Sequence, residues 1–242
     1  IIQEGSKRGL KSVKLNFLGE PLMYPQLAKM VKLARDLGLW VMLNTNAVLL
    51  TQKKSRELLE AGLTDIFFSF DSPYPQTYEK IRVGAQFSKT LENIRTFMHL
   101  KDLMGLKYVQ TRASMVLPED PVGREKIKED YLKLFRDLKV AEIGFGLPTI
   151  LERDYSSLTE GLLFICPDLF RRTFIFHDGI VGPCCGDWER RLVMGDAKRE
   201  PIATIWQGEN YVSLRSSHVN GDFRKVPACR ACSVPYLAQT SY

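Results

Sequence analysis

Hydrophobic residues along the chain alternate between short continuous runs and longer stretches with helical spacing. Five short, mostly apolar runs are typical of buried strands. These runs are Val13–Leu18, Trp40–Leu43, Asp65–Phe70, Tyr108–Leu117 and Glu142–Phe145. Between them apolar residues recur every three or four positions, which predicts amphipathic helices. Thr51 predicts the start of one such helix, and Gly38 and Gly62 predict helix ends.

This alternation of strands and helices is typical of a parallel sheet with right-handed crossover connections. We therefore expect an α/β fold, namely a partial (β/α)6 TIM-type barrel that lacks its first strand. A closed eight-stranded barrel needs about 250 residues for the barrel alone, which is more than this region offers. The chain opens at Ile1 without a methionine, and residues 1–11 have the pattern of a helix end. We expect a strand and most of that helix to precede Ile1.

The hydrophobic periodicity fades after Gly146, which predicts a second, smaller domain. We expect the barrel domain to comprise residues 1–147 and the smaller domain to comprise residues 148–242. In the latter, the turn His177-Asp178-Gly179 predicts a β-hairpin, and two short helices are expected near its end. Its apolar content is low enough that we expect it to need a bound metal in order to fold.

Composition and charge narrow the class of protein. The 242 residues are 45% hydrophobic and 26% charged, which is typical of a globular protein with a sizeable core. The net charge of +6 comes from scattered residues without a basic run, so a nucleic-acid partner is not expected. No apolar run approaches the roughly 18 residues of a membrane span. Cysteines without a secretory signal favour reduced thiols and a cytoplasmic location.

All five cysteines lie in the last third of the chain, namely Cys166, Cys184, Cys185, Cys229 and Cys232. A C-x-x-C pair joined to distant cysteines in turns is typical of four thiolates that surround one metal centre. Disulfides are an alternative, but they favour small secreted domains. A structural zinc site in a zinc hydrolase is another, because zinc also binds four cysteines.

Polar side chains follow successive strands of the predicted sheet. Gly19-Glu20-Pro21 follows the first strand, Asn44-Thr45-Asn46 the second, and Ser69 and Asp71 the third, with Arg112 on the fourth. Each group alone is more typical of an ordinary turn or helix cap. Because ligands bind at the carboxyl ends of parallel strands, their recurrence there predicts a binding site.

Two groups of motifs resemble a known family. Phe17–Leu22, Leu43–Asn46, Phe68–Ser72 and Tyr78–Arg82 are similar to the barrel of radical S-adenosylmethionine (SAM) enzymes. In the C-terminal part, Asp178–Cys185, Gly195-Asp196, Ile205-Trp206 and Cys229–Cys232 resemble the SPASM or twitch auxiliary-cluster domain. Five cysteines are too few for the two auxiliary clusters of a full SPASM domain, so the resemblance favours the shorter twitch form.

The resemblance implies a role for each candidate residue. Gly19, Glu20 and Pro21 would hold the methionine ammonium of SAM, and Asn44, Thr45 and Asn46 would lie near its nucleoside. Ser69 and Asp71 would meet the ribose or the carboxylate, for which Arg82 and Arg112 are further candidates. An auxiliary 4Fe–4S cluster would be ligated by Cys166, Cys184, Cys229 and Cys232. Cys185 would be the spare cysteine.

The resemblance also implies an activity, that of a radical SAM oxidoreductase or maturase. Such an enzyme forms a 5′-deoxyadenosyl radical that abstracts hydrogen from a peptide, a sugar or another small substrate. It needs an electron donor such as flavodoxin or ferredoxin, and a catalytic 4Fe–4S cluster held by C-x-x-x-C-x-x-C. That motif is absent here, and we expect it on residues that precede Ile1. The alternative is a non-catalytic module, a degenerate barrel whose C-terminal metal site recognises a partner.

Overall fold

The computed structural model describes residues 1–146, 157 and 161–235 and divides them into two compact units. One unit comprises residues 9–146, and the other comprises residues 161–235 with 157 and the N-terminal residues 3–8. The domain bounds expected from the sequence stay a prediction. The expected boundary near residue 147 lies outside the described residues. No helix in these described ranges is both long enough and apolar enough to cross a membrane.

The first unit contains a parallel sheet of five strands in the order in which they occur along the chain. The strands are β1 (Ser12–Lys14), β2 (Trp40–Thr45), β3 (Asp65–Ser69), β4 (Gln110–Val116) and β5 (Glu142–Gly146). The connecting helices are α2 (Leu27–Asp36), α3 (Gln52–Glu60), α4 (Pro75–Ile81), α5 (Phe87–Leu103) and α6 (Arg124–Arg136). The predicted α/β class is confirmed. The sequence missed α4, whose seven residues are too few to show helical periodicity.

β1 is shorter than the sequence predicted, and Asn16 gives the physical reason. The predicted strand ran to Leu18, whereas β1 ends at Lys14. Beyond it, the side-chain Oδ1 of Asn16 accepts the backbone N–H of Asn44 at 2.8 Å. A side chain therefore takes the place of the backbone carbonyl in the pairing with β2.

The two faces of the sheet differ in exposure. One face is buried in the hydrophobic core, with Leu43, Phe68 and Ala113 in adjacent strands all fully enclosed. Residues that alternate with these are half-buried, as the pattern of β3 shows most plainly. Because successive side chains of a strand point to opposite faces, this half-buried face carries the polar candidates. It is the face available to a ligand.

The second unit is small and combines short helices with a three-stranded antiparallel sheet. Its elements are α1 (Ile2–Lys7), α7 (Asp168–Arg171), β6 (Phe174–Ile175), β7 (Ile180–Gly182), β8 (Gly195–Asp196), α8 (Ile202–Gln207), α9 (Glu209–Val219) and α10 (Pro227–Arg230), with a 3-10 turn at Phe223–Lys225. β6 and β7 form the predicted hairpin, and Gly179 in its turn has a φ of 91°. Such a positive φ favours glycine because it lacks a Cβ.

The N-terminal helix is joined to this second unit by one carboxylate. Glu4 of α1 accepts the backbone N–H groups of Ile202 and Ala203 at the start of α8, at 3.1 and 3.0 Å. These donors, Ala203 above all, lower the pKa of Glu4. An acidic side chain from one helix therefore caps the N-terminus of another.

Candidate functional site

Glu20 joins the turn after β1 to the end of β2. Gly19 before it has a φ of 87°, which suits a residue without a Cβ. The Glu20 carboxylate caps the 3-10 turn Pro21–Met23, where Oε1 accepts the backbone N–H of Leu22 at 3.1 Å. Oε1 also accepts the Thr45 hydroxyl at 2.6 Å, and Oε2 accepts the backbone N–H of Asn46 at 2.9 Å. The carboxylate is therefore held in one orientation from two sides.

The turn that follows β2 is fixed by its own side chains. Thr45 is only 2% exposed, and its hydroxyl oxygen accepts the backbone N–H of Ala47 at 3.0 Å. Asn46 Oδ1 accepts the N–H of Val48, and Asn93 Nδ2 donates to the carbonyls of both Ala47 and Val48. Ala47 has a φ of 60°, which is uncommon for a residue with a Cβ. These bonds stabilise that conformation.

Asn44 and Arg112 lie in one row across the half-buried face. The register pairs Asn44 with Phe67, Phe67 with Arg112, and Arg112 with Glu142. The Arg112 guanidinium lies over the Phe67 ring, 4.8 Å from its centroid, and its Nη1 is 3.5 Å from Glu142 Oε1. Its Nε is buried without a hydrogen-bond partner in the described chain. A Cβ on Gly144 would lie 2.5 Å from Arg112 Nη2, so the glycine makes room for this side chain.

Ser69 lies one row nearer the carboxyl edge than Arg112. It pairs with Ser114 of β4, so two hydroxyl side chains lie side by side on the half-buried face. Sequence reasoning missed Ser114, whose signal was its position two residues after Arg112 on the same strand. The structure therefore groups Ser69 with Ser114, and Arg112 with Asn44.

Asp71 is held by Arg82, the residue that ends α4. Arg82 Nε donates to Asp71 Oδ2, and both side chains are partly buried, at 33% and 17% exposed. The negative charge of Asp71 also contributes to the raised pKa of Tyr131, although burial of that phenol is the larger cause. Asp71 therefore already has a cationic partner within the protein.

Four of the five cysteine side chains in the second unit are partly buried, and Cys185 is exposed. Burial raises the pKa of Cys184 and of Cys229 to about 12, because an apolar environment disfavours the thiolate. The neighbouring thiols raise these values further, since Cys229 feels the charges of Cys184, Cys232 and Cys166 in that order. The charge of Cys185 likewise raises the pKa of Cys166, Cys184 and Cys232.

Three of the four thiols also have backbone N–H donors. Backbone N–H groups of Asp168 and Leu169 lower the pKa of Cys166, and those of Gly186 and Asp187 lower that of Cys184. Cys232 Sγ accepts the N–H of Val234 at 3.4 Å. Donors of this kind stabilise sulfur that carries negative charge. The donor set therefore suits thiolate ligands.

The fourth thiol meets a histidine. His218 of α9 is 2% exposed, and its Nε2 lies 3.4 Å from Cys229 Sγ. Its Nδ1 lies 3.3 Å from the backbone N of Cys166. Burial lowers the pKa of His218, and a contact with the Phe164 backbone partly offsets this. Sequence reasoning missed this contact of His218, because no local pattern reveals a partner 52 positions away.

Within the described ranges, no three His, Cys, Asp or Glu side chains lie in the arrangement of a single-ion site. Tetrahedral zinc holds its sulfurs about 3.8 Å apart, given a Zn–S bond of about 2.3 Å. Ligands of a cluster bind separate irons and lie farther from one another. The thiols therefore raise one another's pKa values, but they do not lie in the arrangement of a single-ion site.

Comparison with known proteins identifies the family. Residues 2–103 match the model of the radical SAM superfamily, and residues 166–233 match SPASM, an iron–sulfur cluster-binding domain. A cofactor-modifying protein for tungsten-containing aldehyde ferredoxin oxidoreductase from Pyrococcus furiosus is 34% identical over 279 aligned positions. The match covers 93% of this chain and 74% of the relative. The chain belongs to the radical SAM superfamily.

A second relative shares less of its length with this radical SAM chain. The GTP 3′,8-cyclase of Petrotoga mobilis is 31% identical over 184 residues, which is 75% of this chain and 53% of the relative. The chain therefore spans about half the length of that protein.

Solved structures agree on the fold. Streptococcus suis SuiB bound to the precursor peptide SuiA has a TM-score of 0.70 at 12% identity. The match covers 96% of this chain and 62% of SuiB. BtrN in complex with AdoMet and 2-DOIA has a TM-score of 0.58 at 16% identity, with coverage of 96% and 76%. These likenesses show the fold.

The two regions that match family models contain most residues of the two candidate sites. The radical SAM match includes Glu20, the β2 edge and the Asp71–Arg82 pair, whereas Arg112 lies beyond it. The SPASM match includes all five cysteines and His218. The predicted family is therefore confirmed, while the role of each site residue stays a prediction.

Proposed function

We propose that the protein containing this chain is a radical SAM enzyme that abstracts hydrogen from its substrate, as an oxidoreductase or a maturase. When SAM is bound to a reduced catalytic cluster, it supplies a 5′-deoxyadenosyl radical for that step. The five cysteines here do not form C-x-x-x-C-x-x-C, so the activity is proposed for the whole protein. The chain would contribute the SAM-binding edge and an auxiliary cluster.

The observation that carries the proposal is the orientation of Glu20 at the carboxyl edge of the sheet. An ionised carboxylate has about four acceptor positions. Leu22, Thr45 and Asn46 occupy two positions on Oε1 and one on Oε2. One position on Oε2 remains for a donor from a ligand, and the ammonium group of SAM is a donor of suitable charge.

Residues on the half-buried face would bind the rest of SAM. Asn44 and Asn46 offer side-chain amide groups at the end of β2, where the backbone N–H of Asn46 meets Glu20. Ser69 with Ser114 offers hydroxyl groups on the next two strands. The Asp71 carboxylate would accept a hydrogen bond from a ribose hydroxyl of SAM. The Arg112 guanidinium would bind the SAM carboxylate. The role of Arg112 is supported by its buried Nε, which lacks a partner in the described chain.

Cys166, Cys184, Cys229 and Cys232 would ligate one auxiliary 4Fe–4S cluster. Four thiolate ligands leave no iron open to substrate, so we propose that these residues hold a centre that transfers electrons. Flavodoxin or ferredoxin would supply the reducing electron for the whole protein. The names of the relatives indicate varied substrates, a cofactor for one and GTP for another.

The test uses the whole protein, prepared and reduced without oxygen. Incubation with SAM should release 5′-deoxyadenosine and methionine, as measured by liquid chromatography. Glu20→Ala should weaken SAM binding about 10-fold or more, because a charge-assisted hydrogen bond contributes about 1.5–3 kcal/mol. Glu60→Ala, on the exposed end of α3, is the control and should bind SAM normally. Unchanged SAM affinity in Glu20→Ala would remove Glu20 from the site.

A further inference from the structure

His218 lies between two segments that carry proposed cluster ligands. It is in the last turn of α9, buried, with its ring stacked on Phe223 at 5.6 Å between centroids. Nε2 lies 3.4 Å from Cys229 Sγ, and Nδ1 lies 3.3 Å from the backbone N of Cys166. One imidazole ring therefore contacts two proposed ligand residues that are far apart in sequence.

The chemistry of the two partners assigns the tautomer. A cysteine that ligates iron does so as a thiolate, which has no hydrogen to donate. The contact between Nε2 and Cys229 Sγ must then be an N–H···S hydrogen bond donated by the ring. The backbone N–H of Cys166 can only donate, so Nδ1 must accept. With a thiolate at Cys229, the neutral ring would carry its proton on Nε2, and the Phe164 backbone is a third neighbour that raises the pKa of His218.

The donor on Cys229 differs from the donors on the other three sulfurs. Cys166, Cys184 and Cys232 each meet backbone N–H groups, which a change of side chain other than to proline leaves in place. Within the described residues, Cys229 is the ligand candidate whose donor comes from a side chain. Its hydrogen bond is therefore the one that a substitution can remove while every ligand is kept.

We propose that His218 is a positioning residue that tunes the auxiliary cluster. Its Nε2–H bond to Cys229 Sγ raises the reduction potential, and its Nδ1 orients the Cys166 segment. The physical reason is that a hydrogen bond to a ligand sulfur withdraws electron density and so stabilises the reduced cluster, which carries more negative charge. This inference rests on the proposed cluster and adds a residue to it.

The experiment measures the potential of the auxiliary cluster in the whole protein by a redox titration monitored by EPR. His218→Phe keeps an aromatic ring beside Phe223 but removes both nitrogens, so the potential should shift to a more negative value. His218→Gln places an amide N–H near the position of Nε2, so its potential should stay close to the wild-type value. His177→Phe, on the exposed hairpin turn, is the matched control and should leave the potential unchanged.

The outcomes separate this inference from the proposed function. A wild-type protein without iron and sulfide in the C-terminal domain would overturn both the auxiliary cluster and this inference, while release of 5′-deoxyadenosine would still support the radical SAM activity. An intact cluster with the same potential in His218→Phe would overturn only the role of His218. If His218→Phe lost its cluster, the decision would rest on His218→Gln and on pulsed EPR of the wild type. Strong nitrogen coupling in the wild type would identify His218 as a direct ligand and would overturn the N–H···S bond.

Discussion

The Thr45 hydroxyl donates to the Glu20 carboxylate across 2.6 Å and links the turn after β1 to the end of β2. The same hydroxyl oxygen accepts the backbone N–H of Ala47. Thr45 is buried, so it affects a ligand through the orientation of Glu20 and of the turn, not by contact from the open face. The sequence pattern alone could not distinguish this positioning role of Thr45 from direct contact with the ribose of SAM.

Removal of this hydroxyl should weaken SAM binding less than removal of Glu20 itself. Thr45→Val keeps the shape of the side chain but leaves two hydrogen bonds unmade, so we expect SAM affinity to fall about 3–10-fold. The melting temperature should fall by about 3–6 °C, because about 1–2 kcal/mol is lost from a domain of this size. Isothermal titration and thermal unfolding measure the two effects. Thr45→Ser keeps the hydroxyl and should behave nearly as the wild type does.

Cys184 and Cys185 are adjacent but should differ in their effect on the cluster. Cys184 is partly buried, and its charge raises the pKa of Cys229. Its sulfur also meets the N–H groups of Gly186 and Asp187. Cys185 is exposed. In the whole protein, Cys184→Ala should therefore lose the part of the thiolate-to-iron absorbance at about 400 nm that the auxiliary cluster contributes, while Cys185→Ala keeps it. If only Cys185→Ala lost this absorbance, Cys185 would be the cluster ligand and Cys184 the spare cysteine.

Asp65 at the start of β3 should make stability depend on pH. Burial raises its pKa, and the charge of Glu142 raises it further, against smaller opposing effects of Lys14 and Arg112. A raised folded-state pKa means that the folded protein binds the proton more tightly. The associated stability is present below the unfolded pKa and is lost as pH rises through the folded value.

We therefore expect Asp65→Asn to be more stable than the wild type at pH 7. The gain should be about 1–2 °C in melting temperature, because solvent screens this partly exposed group. It should shrink only as the pH falls through the raised pKa toward the unfolded value, where the wild-type carboxyl becomes neutral as well. A gain of equal size at every pH would show that charge is not its cause.

The ion pair between Asp71 and Arg82 should couple the end of β3 to the end of α4. Both side chains are partly buried, so the pair is less screened than those on the surface. We expect Arg82→Gln and Asp71→Asn each to lower the unfolding free energy, with a coupling of about 1 kcal/mol in the double mutant. Chemical denaturation measures this cycle. Additive effects of the two substitutions would mean that the pair contributes no net stability.

The sequence predicted those features that depend on local patterns. Thr51 does cap α3, where its hydroxyl accepts the N–H of Lys54, and Gly38 follows the end of α2 with a φ of 76°. Buried strands and helix ends depend on residues a few positions apart, so their signals are readable. The family resemblance then supplied the proposed roles of the polar residues at the strand ends.

The remaining site features depend on contacts between distant positions. The Asn16 side chain replaces a backbone carbonyl toward Asn44, 28 positions away, and Asn93 holds the turn after β2 from a distance of 45 and 46 positions. His218 reaches Cys166 across 52 positions. No spacing rule indicates such bonds, because a loop asparagine or a helix-terminal histidine usually faces solvent. They become visible only once the chain is folded.

The most direct test concerns the four thiols as one iron–sulfur site. Mössbauer spectroscopy with iron and sulfide analysis should be performed on the whole protein, prepared without oxygen. It should be compared with a variant that has alanine at Cys166, Cys184, Cys229 and Cys232. We predict that the wild type contains one 4Fe–4S cluster more than the variant does. Equal iron and sulfide in the two proteins, or zinc in place of iron in the wild type, would contradict the account.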